Sequence, residues 1–400
     1  MYVSDLALQN FRSYRELLLQ LEPGPTAVVG ANGQGKTNLV EAIAYLSTLS
    51  SHRVGADRAL VRQAGAGEPQ PAGALVQAKV VRGQRPSVLE IEIISGKANR
   101  ARLNRSPVRP RELVGVVRTV VFAPEDLHLV REEPAVRRRF LDDLAVQMTP
   151  RLAGVRADHE RVLAQRASLL KSARAARTPT RTLQATLEVW DAQLATAAAE
   201  LIAARVQVLR QLRPWVLARY ESISLGQSEA LTAYRSSLLE HEGGPEPRPG
   251  GQVEESETQL LDTERTAARL VKAMESLHAR EIDRGVNLVG AHRDDLLLFL
   301  GGLPAKGYAS HGEQWSLALA LRLASYEVLR HDAQAFSGDG EPVLVLDDVF
   351  ASLDGRRRQA LVEVVGGAQQ VLLTAAVDED VPAQLAGSRL RVQGSEVSRG

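Results

Sequence analysis

Residues 30–37 are the sequence feature that most constrains how this chain can fold. They read Gly-Ala-Asn-Gly-Gln-Gly-Lys-Thr, which fits the pattern G-x-x-x-x-G-K-[ST]. An apolar run at 26–29 precedes them, and a run with helical spacing at 39–49 follows. Glycines let a backbone wrap a phosphate group without Cβ clashes, and the N–H groups of the loop and of the helix N-terminus then face the anion. The segment predicts a strand, a phosphate-binding loop and a helix, with nucleotide contacts from Gly30, Ala31, Asn32, Gly33, Gln34, Gly35, Lys36 and Thr37.

A second apolar run, residues 343–346, ends in two carboxylates, Asp347 and Asp348. In a site for ATP and Mg²⁺, Lys36 is expected to act catalytically by reaching the β- and γ-phosphates, while Thr37 and Asp347 hold the Mg²⁺. Asp348 is expected to act catalytically near the attacking water. ABC-type ATPases usually carry Glu at that position, and Asp is one methylene shorter. We therefore expect slow hydrolysis, as in a switch rather than a motor.

Residues 310–314 read Ser-His-Gly-Glu-Gln and precede a helical run at 317–329. They resemble the S-x-G-x-Q signature of ABC ATPases, in which Ser310 and Gly312 would contact the γ-phosphate of ATP bound to a second copy. ATP would then hold two copies together, with Ser310 acting in catalysis and Asp354 reaching across the interface. Thr374 occupies the place of a residue that senses the γ-phosphate. The alternative is that Ser310 only caps its helix, with Glu313 completing a capping box.

Between these motifs the hydrophobic spacing changes. From about residue 150 to residue 282, apolar residues recur at intervals of three and four, which predicts helices packed along one stripe. The fold class expected is an α/β ABC-type ATPase head with a phosphate loop and an inserted, short, coiled-coil-like helical arm. The head would comprise residues 1–150 and 285–400, and the arm residues 151–284. A Gly- and Pro-rich stretch followed by a Glu-rich run predicts a flexible loop near 241–258.

Several stretches together resemble the RecF family of bacterial DNA replication and repair proteins, which are ATPases related to the ABC and SMC classes. The stretches are residues 8–14 (Leu-Gln-Asn-Phe-Arg-Ser-Tyr), 36–43, 124–127, 137–142 and 290–296. The resemblance implies ATP binding, dimerisation when loaded, and binding of DNA at gaps or single-strand/double-strand junctions. It also implies that the chain acts with RecO and RecR to load the recombinase RecA, supporting fork recovery and SOS induction. Its ATPase activity would be weak and stimulated by DNA.

Two other interpretations stay open at this stage. A nucleotide-gated scaffold with negligible hydrolysis is compatible with Asp348 in place of Glu. Another SMC-like ABC ATPase would share the inserted arm, although a true SMC coiled coil needs far more residues than this insertion supplies.

The formal net charge of +1 does not by itself indicate nucleic-acid binding, so any DNA-binding site must be a local basic patch. The candidate contacts are arginines. The main candidates lie in one basic stretch: Arg100, Arg102, Arg105, Arg109 and Arg111. Arg137, Arg138 and Arg139 form a second run, but flanking acids favour ordinary ion pairs there. His52 and Arg53 are further candidates. His292 is expected to be structural, because no cluster of metal-ligating residues accompanies it.

The chain contains no cysteine, which fits a reducing compartment. No signal peptide is visible at the start, and no apolar stretch is long enough for a transmembrane helix. We therefore expect a cytoplasmic protein without membrane contact.

Overall fold

The structure is a computed structural model, and it describes residues 1–51, 53–65, 67–177, 179–224, 228–248, 251–332, 340–385 and 387–400. Contacts divide the chain into two compact units. The head unit comprises residues 1–127, 146–150 and 318–400, and the arm unit comprises residues 128–145 and 151–317. The sequence predicted an arm of 151–284, so the arm unit is larger at both ends. Buried ion pairs explain the difference, since Arg137 binds Asp295 and Arg205 binds Asp142 within the arm unit.

Runs of strands and runs of helices follow one another along the described chain. The strands are β1 (Tyr2–Phe11), β2 (Tyr14–Gln20), β3 (Gly24–Val29), β4 (Gly73–Arg82), β5 (Arg85–Ile94), β6 (Arg100–Leu103), β7 (Ser106–Val108), β8 (Thr119–Phe122), β9 (Ala230–Arg235), β10 (Asp295–Leu300), β11 (Leu303–Pro304), β12 (Val343–Asp347), β13 (Gln370–Ala375), β14 (Ser388–Gln393) and β15 (Glu396–Arg399). The helices are α1 (Lys36–Thr48), α2 (His128–Arg131), α3 (Pro134–Met148), α4 (Leu152–Ala176), α5 (Thr180–Ser224), α6 (Ser237–His241), α7 (Gly251–Thr258), α8 (Thr263–Arg284), α9 (Ala305–Tyr308), α10 (His311–His331) and α11 (Gly355–Val365).

The head unit contains two six-stranded sheets. One has the order β15-β14-β3-β13-β12-β8, and all of its neighbours pair in parallel except β14 and β15. The other, antiparallel throughout, has the order β2-β1-β4-β5-β6-β7. One core cluster includes Leu8 of β1, Ile43 of α1 and Val345 of β12, so both sheets and α1 share it. Because parallel strands end at the same edge of a sheet, β3, β12 and β13 bring the phosphate loop, Asp347 and Thr374 together.

The parallel strands of the head unit are apolar because they are covered on both faces. The first four residues of β12 are fully buried Val and Leu, and β13 is buried along its whole length. Continuous apolar runs of this kind are typical of parallel strands, unlike the alternating pattern of a half-exposed strand. The apolar run at residues 343–346 that the sequence analysis singled out forms β12.

Long helices build most of the arm unit. The helix α5 runs for 45 residues and buries Leu187, Leu194 and Leu201 on one face, as the apolar spacing predicted. A three-stranded sheet, β11-β10-β9, was not predicted, since the region around β9 was assigned to helix. The short strand β9 is held by pairing with β10, which lies about sixty residues further along the chain.

The prediction of a flexible loop near 241–258 is wrong for its last part. Residues 251–258 form α7, although residues 249 and 250 lie outside the described residues. Tertiary contacts hold this polar segment in place. Val253 is buried, and Glu257 is buried with its carboxylate 2.7 Å from Nη2 of Arg213. Within the described residues, none of the helices is both long enough and apolar enough to cross a membrane.

Candidate nucleotide site

The phosphate loop joins β3 to α1 in the head unit. Gly33 and Gly35 have φ values of 81° and 112°, in the left-handed region that glycine adopts without strain. Gly30 is equally constrained, because a Cβ atom there would lie 2.2 Å from the carbonyl oxygen of Val392. The Nζ atom of Lys36 donates to the carbonyl oxygens of Gly30 at 2.7 Å and Ala31 at 3.2 Å. Among the described residues, Lys36 forms no salt bridge, so its charge is available to an anion in the loop.

Asp347 lies at the end of β12 and next to the start of α1. Its Oδ1 atom accepts hydrogen bonds from the hydroxyl of Thr37 at 3.0 Å and from the hydroxyl of Thr374 at 2.7 Å. One hydroxyl and one carboxylate are a donor set that suits Mg²⁺, which usually takes its remaining ligands from waters and phosphates. In the described ranges, no group of three or more His, Cys, Asp or Glu side chains could hold a metal ion.

Asp348 follows Asp347 in a conformation that a non-glycine residue seldom adopts, with φ at 51°. Its backbone N–H donates to the hydroxyl of Thr374 at 2.9 Å, so one hydroxyl contacts both acidic residues. Thr374 was predicted to sense a γ-phosphate. In the structure its hydroxyl lies 2.7 Å from Oδ1 of Asp347, the predicted Mg²⁺ ligand. Strained backbone held by such contacts is typical of functional sites.

The predicted signature lies in the arm unit, at the N-terminus of α10. Both the backbone N–H and the hydroxyl of Ser310 donate to Oε2 of Glu313, at 2.8 and 2.7 Å. These bonds lower the pKa of Glu313. The helix-cap arrangement considered as the alternative role of Ser310 is therefore present, with Gly312 in the first turn of the helix. A contact from Ser310 and Gly312 to nucleotide on a second copy stays a prediction.

Asp354 is the N-cap residue of α11. Its carboxylate accepts a hydrogen bond from the backbone N–H of Arg357 at 3.0 Å and pairs with the guanidinium of the same residue. The Asp354 side chain is 55% exposed, so it remains accessible to a second copy. Its predicted role across an interface is compatible with this position and stays a prediction.

The C-terminal hairpin supplies contacts to the phosphate loop that the sequence analysis missed. The turn between β14 and β15 donates from the backbone of Gly394 to Oε1 of Gln34 at 2.6 Å, and from the backbone of Ser395 to the carbonyl oxygen of Gln34 at 3.1 Å. The hydroxyl of Tyr14 donates to the carbonyl oxygen of Gly35 at 3.1 Å. A glycine between two short alternating runs, at residues 388–399, was a signal for the hairpin. Nothing in the sequence pointed to its contact with the loop.

A buried carboxylate on α1 was also not predicted. Glu41 is fully buried and receives two hydrogen bonds from Arg12, at 2.8 and 2.6 Å, with Arg53 3.2 Å away. Burial alone would raise the pKa of Glu41, but the hydrogen bonds from Arg12 and Ser51 and the charges of Arg12 and Arg53 lower it. Arg53, considered as a DNA contact, is thus partly engaged inside the head unit. His52 lies outside the described residues.

The predicted DNA arginines lie on and after the hairpin β6–β7, at the edge of the antiparallel sheet, and all five are exposed. Two of them face acids on the neighbouring strand. Arg100 lies 3.7 Å from Glu92, and Arg102 lies 2.6 Å from Glu90. The other three form no salt bridge within the described part of the chain: Arg105, Arg109 and Arg111.

The second arginine run and the histidine of the 290–296 stretch are structural in this fold. Arg137 is buried in a two-point ion pair with Asp295, at 2.9 and 2.8 Å, and Arg139 pairs with Asp143. Arg138 donates to the backbone carbonyl oxygen of Asp294 at 2.8 Å. Burial lowers the pKa of His292 to about 3, and its Nε2 lies 3.3 Å from a backbone carbonyl oxygen. These motifs hold the arm unit together.

A parallel sheet that carries a phosphate loop, an acidic strand end and the Thr374 hydroxyl at one edge has the architecture of a P-loop ATPase head of the ABC type. The profile of the RecF/RecN/SMC N-terminal domain family matches residues 2–391. DNA replication and repair protein RecF from Beutenbergia cavernae is 59% identical over 404 residues, covering 100% of both chains. The RecF proteins of Kineococcus radiotolerans and Frankia alni are 53% and 52% identical, again with 100% of each chain covered. The chain belongs to the RecF family.

Solved structures agree on the fold. A structure of the recombination mediator protein RecF-ATPrS in the RecFOR pathway superposes with a TM-score of 0.83 at 23% identity, covering 100% of this chain and 98% of that one. The RecF-ATP structure of the same pathway gives a TM-score of 0.81 at 24% identity, covering 100% and 97%. An SMC head bound to the C-terminal winged-helix domain of ScpA gives 0.54 at 14% identity, covering 100% and 97%.

Proposed function

We propose that this protein is an ATP-dependent, DNA-binding recombination mediator that acts in the cytoplasm. It binds DNA at gaps or junctions and works with RecO and RecR to load RecA during recombinational repair, fork recovery and SOS induction. The names of its full-length relatives, DNA replication and repair protein RecF, support the DNA-repair role. The name of the RecFOR pathway on related structures supports RecO and RecR as partners.

The observation that carries the nucleotide part of the proposal is the arrangement around Asp347. Thr37, at the start of α1, and Thr374, at the end of β13, both donate to the same carboxylate oxygen. Lys36 and the backbone N–H groups of residues 33–37 would hold the phosphates of ATP, while Thr37 and Asp347 would hold Mg²⁺. When bound, Mg²⁺ neutralises phosphate charge. Asp348, whose backbone is strained, would orient the attacking water. Its side chain is one methylene shorter than that of Glu, which would make ATP hydrolysis slow.

ATP also acts as the link between two copies in this proposal. Ser310, Gly312 and Asp354 would contact the nucleotide held by the other copy, and hydrolysis would release the pair. The exposure of Asp354 and the position of Ser310 at a helix N-terminus support this use. Arg105, Arg109 and Arg111 would contact DNA phosphates, with Arg100 and Arg102 contributing where their acidic neighbours permit.

The experiment that tests the proposal measures the mass of the protein in solution with and without ATP and Mg²⁺. We expect the wild type to change from monomer to dimer with ATP, and Ser310→Arg to bind ATP but stay monomeric. Ser310→Asn is the matched control, because Asn keeps the helix cap that the structure shows. Lys36→Arg should bind ATP poorly and also stay monomeric. A mass that never changes, although ATP binds, would contradict ATP-linked dimerisation.

A second candidate is a nucleotide-gated scaffold that binds ATP and hardly hydrolyses it. The presence of Asp348, one methylene shorter than Glu, favours this option. Single-turnover phosphate release with gapped DNA separates the two. Release that depends on Asp348 supports a slow ATPase, whereas equal release from wild type and Asp348→Asn supports the scaffold.

A further inference from the structure

The arm unit carries a basic surface that the nucleotide site and the β6–β7 arginines do not include. From Arg161 to Leu187 the sequence contains no acidic residue. This segment forms the C-terminal part of α4 and the first turns of α5. The exposed cations at this end of the two helices, together with two on the last turns of α8, are called the helix-end patch: Lys171, Arg174, Arg177, Arg181, Arg280 and Arg284.

Direct contacts bring the three helix ends together. Nη1 of Arg174 donates to the backbone carbonyl oxygen of Arg284 at 3.1 Å. A Cβ atom on Gly285, the residue that caps α8, would lie 3.6 Å from Cα of Lys171. Beneath the surface, Leu170 of α4, Leu187 of α5 and Ile282 of α8 belong to one small core cluster. The cations therefore form a single surface.

Local stability explains only some of these charges. Arg174 and Arg284 complement the negative ends of α4 and α8, as cations in a last helical turn usually do. Arg181, however, lies in the first turn of α5, where the helix dipole disfavours a positive charge. Lys171 and Arg174, and likewise Arg280 and Arg284, are like charges three or four residues apart on one helix face, where they repel each other. Within the described residues, none of these six side chains forms a salt bridge.

We propose that the helix-end patch is a second DNA-binding surface, which contacts the phosphate backbone without reading the sequence. This inference rests on the proposed DNA-binding function and extends it to the arm unit. An acidic protein is the weaker match. Protein interfaces centre on buried aromatic or apolar anchors. Among the described residues of the segments that carry the patch, 161–187 and 280–285, no large apolar side chain is exposed. Surfaces that bind DNA backbones are polar and strongly positive.

The test compares charge-matched variants in binding to a fluorescent duplex with a single-stranded gap, with ATP and Mg²⁺ present. The patch variant is Lys171→Gln, Arg177→Gln and Arg181→Gln, which leaves the Arg174 contact to α8 intact. The control variant is Arg248→Gln, Arg265→Gln and Lys272→Gln, which removes three exposed cations from elsewhere in the arm unit. Thermal midpoints and ATP affinity of both variants should equal those of the wild type, which shows that they are folded.

We expect the patch variant to bind DNA at least about tenfold more weakly at ~150 mM salt. The slope of log K against log salt should fall by roughly 2 to 3, as for the loss of about three phosphate contacts. The control variant should keep the wild-type affinity and slope. Arg177→Lys with Arg181→Lys should also keep them, because a backbone contact needs the charge rather than the guanidinium.

The outcomes separate the patch from the proposed function. Wild-type binding that is unchanged in the patch variant, but lost in Arg105→Gln, Arg109→Gln and Arg111→Gln, would overturn the patch and leave DNA binding intact. Equal losses in patch and control variants would also overturn it, since net charge alone would then account for the effect. A wild type that binds no DNA would overturn both.

Discussion

A buried cation in the arm unit and a buried cation in the head unit have different kinds of partner. In the arm unit, Arg166 is fully buried and donates to Asp191 at 2.7 Å, to Glu281 at 2.6 Å and to Asn287 at 2.6 Å. In the head unit, Lys36 is nearly as buried but contacts only backbone carbonyl oxygens and one amide oxygen. One cation has its full set of charged partners inside the fold, and the other has none among the described residues.

The two cations differ in what their partners leave available for a ligand. A buried cation that is already paired with carboxylates gains little from an added anion, and removing one partner leaves a charge buried without compensation. A cation held by weaker neutral acceptors can exchange them for phosphate at little cost. The arginine run at 137–139 resembles the phosphate loop in being a dense polar motif, yet the ion pair of Arg137 with Asp295 puts it in the first class.

The largest effect is expected from a substitution that breaks the buried cluster around Arg166. Arg166→Met should destabilise the arm unit by about 3–5 kcal/mol, because Glu281 loses its buried cation and Asp191 keeps only its contact with His278. Chemical denaturation measured by circular dichroism would show it. Arg161→Met is the matched control, since its ion pair with Asp158 is exposed and should contribute less than about 1 kcal/mol. Lys36→Met should abolish ATP binding with a similarly small change in stability. Equal stability losses at Arg166 and Lys36 would contradict the distinction between the two sites.

Acid should act on the two units in different pH ranges. Burial lowers the pKa of His159 in the arm unit from 6.5 to about 4, so the unfolded chain takes up the proton first. The stability that comes from burying a neutral His159 is complete above pH 6.5 and is lost as the pH falls towards 4. At pH 5 the loss in the free energy of unfolding is about 2 kcal/mol. Glu41 in the head unit has a lowered pKa, so its contribution is lost only below its unfolded value of 4.5.

The measurement compares denaturation at pH 7 and pH 5 for the wild type and for His159→Leu. Only this difference isolates the imidazole, because burial raises the pKa of Asp294 and Asp143 in the same unit and acts in the opposite direction. His159 faces Arg205, Asp142 and the ring of His292, whose pKa is lowered to about 3. The variant should lose less stability on acidification than the wild type does. Identical losses would show that the proton is taken up elsewhere.

The smallest expected effect concerns how the phosphate loop is held. Gln34→Leu removes the acceptor for the backbone N–H of Gly394, a bond worth about 1 kcal/mol. ATP affinity should fall by roughly 3- to 10-fold, with little change in thermal midpoint. Gln393→Leu, an exposed residue of the same hairpin, is the control and should bind ATP normally. An unchanged affinity in Gln34→Leu would show that the hairpin contact does not shape the loop.

Much of the head could be predicted because its signals are local. A phosphate loop needs a strand before it, glycines within it and a helix after it, and all of these are contiguous in residues 24–48. The apolar run at residues 343–346 likewise lies next to Asp347 in the sequence, and it forms β12. The strand β9 and the helix α7 were missed, because both depend on distant partners: β10 for the first and Arg213 for the second. Local propensity cannot report such contacts.

The sequence alone predicts a phosphate-binding loop and two segments of an ATPase head that flank a helical insertion, and it resembles the RecF family. It could do so because motif spacing and hydrophobic period are written in neighbouring residues. Which charged side chains pair with one another inside the protein is visible only in the tertiary structure. Arg137 and Arg181 are both arginines in basic runs, but Arg137 meets the carboxylate of Asp295, 158 positions away, whereas Arg181 is exposed at the start of a helix. Side chains so far apart in sequence meet only when the chain folds, and that meeting distinguishes an internal ion pair from an exposed charge.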